Sequence, residues 1–116
     1  MLNSVRQVWA LEKDESIKHL LILLFGHFGE GDLVASADEL CNDRAISLMH
    51  KHDRTVRVYI YTYGHDSDRY GVHVEYPIAP LPYPLNTPES YENVSFDQLT
   101  GIVELNLNII STALSA

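Results

Sequence analysis

Thr55-Val-Arg-Val-Tyr-Ile-Tyr-Thr-Tyr63, followed by Gly64-His-Asp-Ser-Asp-Arg-Tyr-Gly71 and Val72-His-Val-Glu-Tyr76, decides the fold. Val56, Val58 and Ile60 alternate with Arg57, Tyr59, Tyr61 and Tyr63, the period of two that puts successive side chains on opposite faces of a strand. The alternation resumes with Val72, Val74 and Tyr76 against His73 and Glu75. The Gly/Asp/Ser-rich stretch between the two runs is a turn sequence, so the segment predicts an antiparallel β-hairpin whose valine face packs on helices.

Upstream of the hairpin the period changes. Ile17, Leu20, Leu21, Leu24, Phe25 and Phe28 recur at helical spacing, and Ile22 and Leu23 widen the stripe toward a helix covered on most sides. Asp14 or Ser16 is placed to cap its start, and Gly26, Gly29 and Gly31 mark its end. Val5 to Leu11 fits a helix or a short strand. A second helix is predicted after Ser36: Ser36 and Glu39 have capping-box spacing, and Ala37, Leu40, Cys41, Ala45, Leu48 and Met49 trace one stripe. His50 and His52 then fall at its end, where the helix dipole favours them.

Downstream, the chain's five prolines all lie between Pro77 and Pro88, which predicts an extended connection. Ser95 and Gln98 repeat the capping-box spacing. A strand would alternate Val103, Leu105, Leu107 and Ile109 with Glu104, Asn106 and Asn108. A helix instead gathers Asp97, Thr100, Glu104, Asn108, Ser111 and Ser115 on one polar face and misplaces only Asn106, so a helix is predicted.

The fold class that results is α+β. A central antiparallel hairpin packs against about three helices in the order α-α-β-β-α, as a single domain over residues 1–116. Two strands make a poor sheet. A third strand in Val5–Leu11 or Leu33–Ala35, or pairing of the hairpin across a homodimer, would complete it.

Composition narrows the function. Sixteen Asp and Glu against eight Lys and Arg give a net charge of −8 over 116 residues, and no basic stripe interrupts it. That balance disfavours nucleic acid and anionic membrane surfaces as partners and suits a basic protein; acidity for solubility alone is the plainer alternative. The longest apolar run, Leu20 to Phe25, is too short to span a bilayer, and the acidic residues before it do not suit a secretory signal. A single cysteine, Cys41, excludes an internal disulfide and predicts a reducing, cytoplasmic setting and a buried structural thiol.

No catalytic motif is present: no Gly-x-Ser-x-Gly elbow, phosphate-cradling glycine loop or His-Glu-x-x-His. Asp66, Asp68 and Gly71 begin like a calcium loop, but Pro77 stands where a bidentate carboxylate is required. His65, His73, Asp66 and Asp68 supply metal-ligating side chains without a known ligand spacing. The polar face of the hairpin is the more unusual feature. Arg57, Tyr59, Tyr61 and Tyr63 project together with His73 and Glu75, and His65, Asp66 and Asp68 lie in the turn. Tyr83, Glu89, Tyr91 and Glu92 follow nearby in sequence. Tyrosine gives contact area and a polar tip at small entropic cost, which suits a partner-binding surface. Coverage of that face by the last helix or the proline segment is the alternative.

A short acidic chain with a Tyr/Asp/Glu-decorated surface and no catalytic motif resembles the bacterial immunity proteins of contact-dependent and polymorphic toxin systems. The resemblance is one of class over the whole chain, carried by no defining motif. It implies a non-enzymatic one-to-one inhibitor, without cofactor or metal, of a cognate toxin that is commonly a nuclease with a basic cleft. Carboxylates would stand in for phosphates there and tyrosines would anchor. Two other readings stay open: a small metal-dependent hydrolase on His65, His73, Asp66 and Asp68, and a homo-oligomeric accessory protein paired through the hairpin edge.

Overall fold

In the computed structural model, which describes residues 4–29, 31–36, 43–76 and 89–109, the hairpin is the middle of a larger sheet. Five antiparallel strands, β1 Leu33–Ser36, β2 Ala45–His50, β3 Asp53–Tyr61, β4 Tyr70–Glu75 and β5 Glu89–Val94, lie side by side in chain order. Helices α1 Val5–Val8 and α2 Glu15–Phe28 precede the sheet, and α3 Phe96–Leu107 follows it. Among the described residues the α-α-β-β-α order therefore gives way to two helices, five strands and a helix.

The hairpin forms where the alternation places it, with Val58 opposite Val74 and Ile60 opposite Val72. Its first strand stops at Tyr61 rather than Tyr63. The sheet is completed partly by Leu33–Ser36, one of the two stretches suited to a third strand; Val5–Val8 of the other stretch is helical.

The largest departure is the helix expected after Ser36. Residues 37–42, Cys41 among them, lie outside the described residues, but Ala45–His50 is a strand. Ala45, Ile46, Ser47, Leu48 and Met49 are all buried, because β2 is covered on both faces. A strand of that kind loses its alternation and leaves apolar residues at helical spacings by coincidence. Pairing of Ile46 with Ile60 and Leu48 with Val58 selects the sheet. His50 accordingly ends β2 and His52 lies in the turn to β3 rather than at a helix end, with the His52 backbone N–H donating to His50 Nδ1 at 2.9 Å. The second missed strand, β5, has five exposed residues of six and so no apolar period to detect.

The helices end where local chemistry ends them. Asp14 caps α2 by accepting from the Ser16 N–H at 3.0 Å, and Gly29, at φ 83°, closes it. Ile17, Leu20, Leu21, Leu24, Phe25 and Phe28 are buried, whereas Leu23 is exposed, so α2 keeps an open side. In α3 the Ser95 side chain accepts from the Gln98 N–H while the Ser95 N–H donates to Gln98 Oε1, the reciprocal box that satisfies two orphan donors. Asn106, the misplaced polar residue, is satisfied by Tyr76, whose hydroxyl donates to its Oδ1 at 2.7 Å. Thr100, assigned to the polar face, is buried and donates instead to the Asp97 carbonyl at 2.9 Å.

One apolar cluster joins these elements. It contains the buried α2 residues, Leu99, Val103 and Leu107 of α3, and Ala35, Ile46, Leu48, Val58, Ile60, Val72 and Val74 from one face of the sheet. Burial on this scale is the main stabilising contribution, at about 25 cal/mol per Å² of apolar surface. Register assigns the alternate residues to the opposite face: Ala45, Tyr61 and Gly71 in one row, and Ser47, Tyr59, His73 and Ser90 in the next.

Candidate functional site

The opposite face is organised around Tyr61. Its cross-strand partner on β4 is Gly71, and a methyl group built on that glycine would clash with the Tyr61 ring and hydroxyl. The bare glycine lets the ring lie flat across β4. Neighbouring strands are about 4.8 Å apart, so this orientation carries the phenol over one strand to the next. There its hydroxyl donates to Oε1 of Glu92 on β5.

Other groups converge on the same point. His65, in the loop after β3, bonds through Nε2 to Glu92 Oε2 at 2.8 Å, and its side chain is 10% exposed. His73 Nε2 lies 3.5 Å from the Tyr61 hydroxyl oxygen. A phenol has one proton, and Glu92 takes it, so His73 Nε2–H is the donor in that pair. Hydrogen-bond polarity thus runs from His73 through Tyr61, and separately from His65, toward one carboxylate. Tyr63 stacks on Tyr61 with centroids 4.5 Å apart, and Tyr59 sits 5.9 Å away on the other side.

Electrostatics follow from this geometry. Burial, then the hydrogen bond to Glu92, pushes the Tyr61 phenol far above its ordinary range. The Tyr61 hydrogen bond holds the Glu92 carboxyl below its ordinary 4.5; desolvation opposes it, and the His65 hydrogen bond adds to the lowering. At neutral pH the pair is a neutral phenol and a fixed carboxylate. Such an arrangement holds a negative charge in place, with Tyr61 unsuited to act as a base or nucleophile.

The expected site residues separate into three groups. Tyr59, Tyr61, Tyr63, His65 and His73 come together. Arg57 and Glu75 share the face and face each other across the strands, but they lie four residues up β3, about 13 Å away at strand rise. Asp66 and Asp68 belong to a different feature, a polar cleft of about 130 Å³ also lined by Ser16, His19, Arg44, Thr62, His65, Ser67, Arg69 and Tyr70. Their roles in the loop are conformational: the Asp66 carbonyl accepts from the Arg69 N–H, and Asp68 takes a left-handed φ of 65°.

In the lining of that cleft the Ser16 hydroxyl donates to Asp14 Oδ2 at 2.6 Å and meets the Thr62 hydroxyl at 2.7 Å. Those bonds tie the start of α2 to the end of β3 and commit the Ser16 proton. Among the described residues, no group of three or more His, Cys, Asp or Glu is arranged to hold a metal ion. Nor is any described helix long and apolar enough to cross a membrane.

Sequence reasoning names Glu92 only as a neighbour of the tyrosine face and misses Gly71 as a site residue. Glu92 sits on a strand without apolar period, and nothing local ties it to Tyr61, 31 positions earlier. Gly71 did carry a signal: a glycine at the mouth of a strand marks close approach by another group. Comparison with protein-family models, curated proteins and solved structures finds no match, so this geometry is the ground for any functional reading.

Proposed function

We propose that the chain is a non-enzymatic binding protein that neutralises a basic bacterial protein toxin, as the immunity proteins it resembles do. The observation that carries this reading is the ionised Glu92 held by Tyr61 and His65 inside an aromatic patch, on a chain of net charge −8. A pre-organised carboxylate loses little freedom when a cation meets it, and tyrosines at its border exclude water. The wider negative field speeds encounter with a basic partner and fixes its orientation.

The test is binding to the C-terminal domain encoded by the neighbouring reading frame, with association rates followed by stopped flow. The expected result is a one-to-one complex whose association slows by an order of magnitude or more between low and high salt. Glu92→Gln and Tyr61→Ala should weaken it. Salt-independent association, or equal affinity of both variants and the wild type, would overturn the reading.

A further inference from the structure

We propose that Glu92 receives an arginine side chain from the partner, its guanidinium forked onto the carboxylate and lying against the exposed ring of Tyr63. The inference deepens the binding role above and rests on it for the existence of a partner, but the site has its own test.

Several observations select arginine. Each Glu92 oxygen accepts one hydrogen bond from the protein, Oε1 from Tyr61 and Oε2 from His65. A carboxylate oxygen has two lone pairs, so one acceptor position remains on each. The side chain is 60% exposed, so a partner's side chain can approach it from solvent. One remaining acceptor on each of two carboxylate oxygens suits the two-pronged fork of a guanidinium better than the point charge of an ammonium.

The surroundings point the same way. Tyr63 is 40% exposed and stacked on Tyr61, the ring whose hydroxyl holds the carboxylate, so it borders the Tyr61–Glu92 pair with an aromatic surface on which a guanidinium plane can lie. His65 and Tyr61 direct their hydrogens at Glu92 and are positioning residues: they fix the carboxylate plane that the guanidinium meets. His73 acts one step behind, through the Tyr61 oxygen.

The test uses the isolated full chain and small cations, so it does not depend on the partner's identity. Methylguanidinium and methylammonium are titrated at constant ionic strength while the Glu92 carboxyl carbon and His65 ring nitrogens are followed by NMR. Methylguanidinium should give saturable shifts at both residues, with methylammonium binding at least about fivefold more weakly. Tyr63→Ala should lose a similar factor, and Glu92→Gln, judged by the His65 signals, should not saturate. If Glu92→Gln fails to fold, the Tyr63→Ala and cation comparisons decide. Equal binding of the two cations, or unchanged binding in Tyr63→Ala, overturns the arginine site. A salt-dependent protein complex without guanidinium selectivity would overturn this inference alone; guanidinium selectivity without any complex would overturn the immunity reading and leave the site standing.

Discussion

Val58, Ile60, Val72 and Val74 face the helices, while Tyr59, Tyr61 and His73, their neighbours in the chain, face the other way. The helix side is an ordinary apolar core, where shape is filled by interchangeable aliphatic side chains and stability scales with area. The opposite side is built from few residues with directed bonds, each dependent on its partner's position. Removing a methyl group harms the first by an amount set by volume. Removing one atom of the second, the Tyr61 hydroxyl oxygen for instance, leaves the volume nearly unchanged but takes a directed bond away from the Glu92 carboxylate. One hairpin thus serves both purposes because its period of two assigns alternate residues to unrelated tasks.

The sharpest way to break the comparison is Ile60→Ala. Ile60 is fully buried, and truncation should destabilise the protein by about 2–5 kcal/mol in urea unfolding, with any surviving fold keeping the Tyr61–Glu92 contact. A loss below 1 kcal/mol would place the core elsewhere.

Gly71→Ala tests the other face at its most constrained point. The added methyl meets the Tyr61 ring, so a cost of about 1–3 kcal/mol is expected, together with loss of the Glu92 hydrogen bond. Combining it with Tyr61→Ala should recover much of the Gly71→Ala cost, a non-additivity that a double-mutant cycle measures directly. Additive costs would mean that ring and glycine do not meet in solution.

Smaller effects appear in pH dependence. The Glu92 carboxyl is held below its ordinary 4.5 in the folded chain, so its contribution is fully present above 4.5 and is lost as pH falls through the folded value. The Tyr61 phenol is raised above its ordinary 10, so its contribution is present below 10 and is lost as pH rises toward the folded value. Tyr61→Phe should flatten both limbs of a stability-versus-pH curve. Identical acid and alkaline limbs in the variant would count against the pair. Least of all, Tyr63→Ala should change stability by about 1 kcal/mol or less, the loss of its stacking on Tyr61 from a partly exposed position, and should act mainly on binding.

How much of this could be read beforehand depended on the range of the forces involved. The hairpin, the α2 stripe and the Ser95–Gln98 box rest on residues within a few positions of one another, and local pattern reveals them. β2 has the sequence spacing of a helix because burial on both faces removes the alternation that identifies a strand. β5 carries no legible pattern because five of its six residues are exposed and only Val94 joins the core. The site was half legible for the same reason: its tyrosines and histidines lie in the hairpin, whereas Glu92 reaches them only once a third strand has docked.

That docking has a mechanical side. The Tyr61–Glu92 bond joins β3 to β5 over the top of β4, so it fastens the outermost strand to one that is not its neighbour. β5 leads through Val94 and Ser95 directly into α3. Fraying of this border must therefore break a clasp as well as a ladder. Amide exchange along Glu89–Val94 and the first turn of α3 should quicken together when the clasp is cut, and slow together when a cation occupies Glu92. The strand end becomes a gauge of whether the face beneath it is in use.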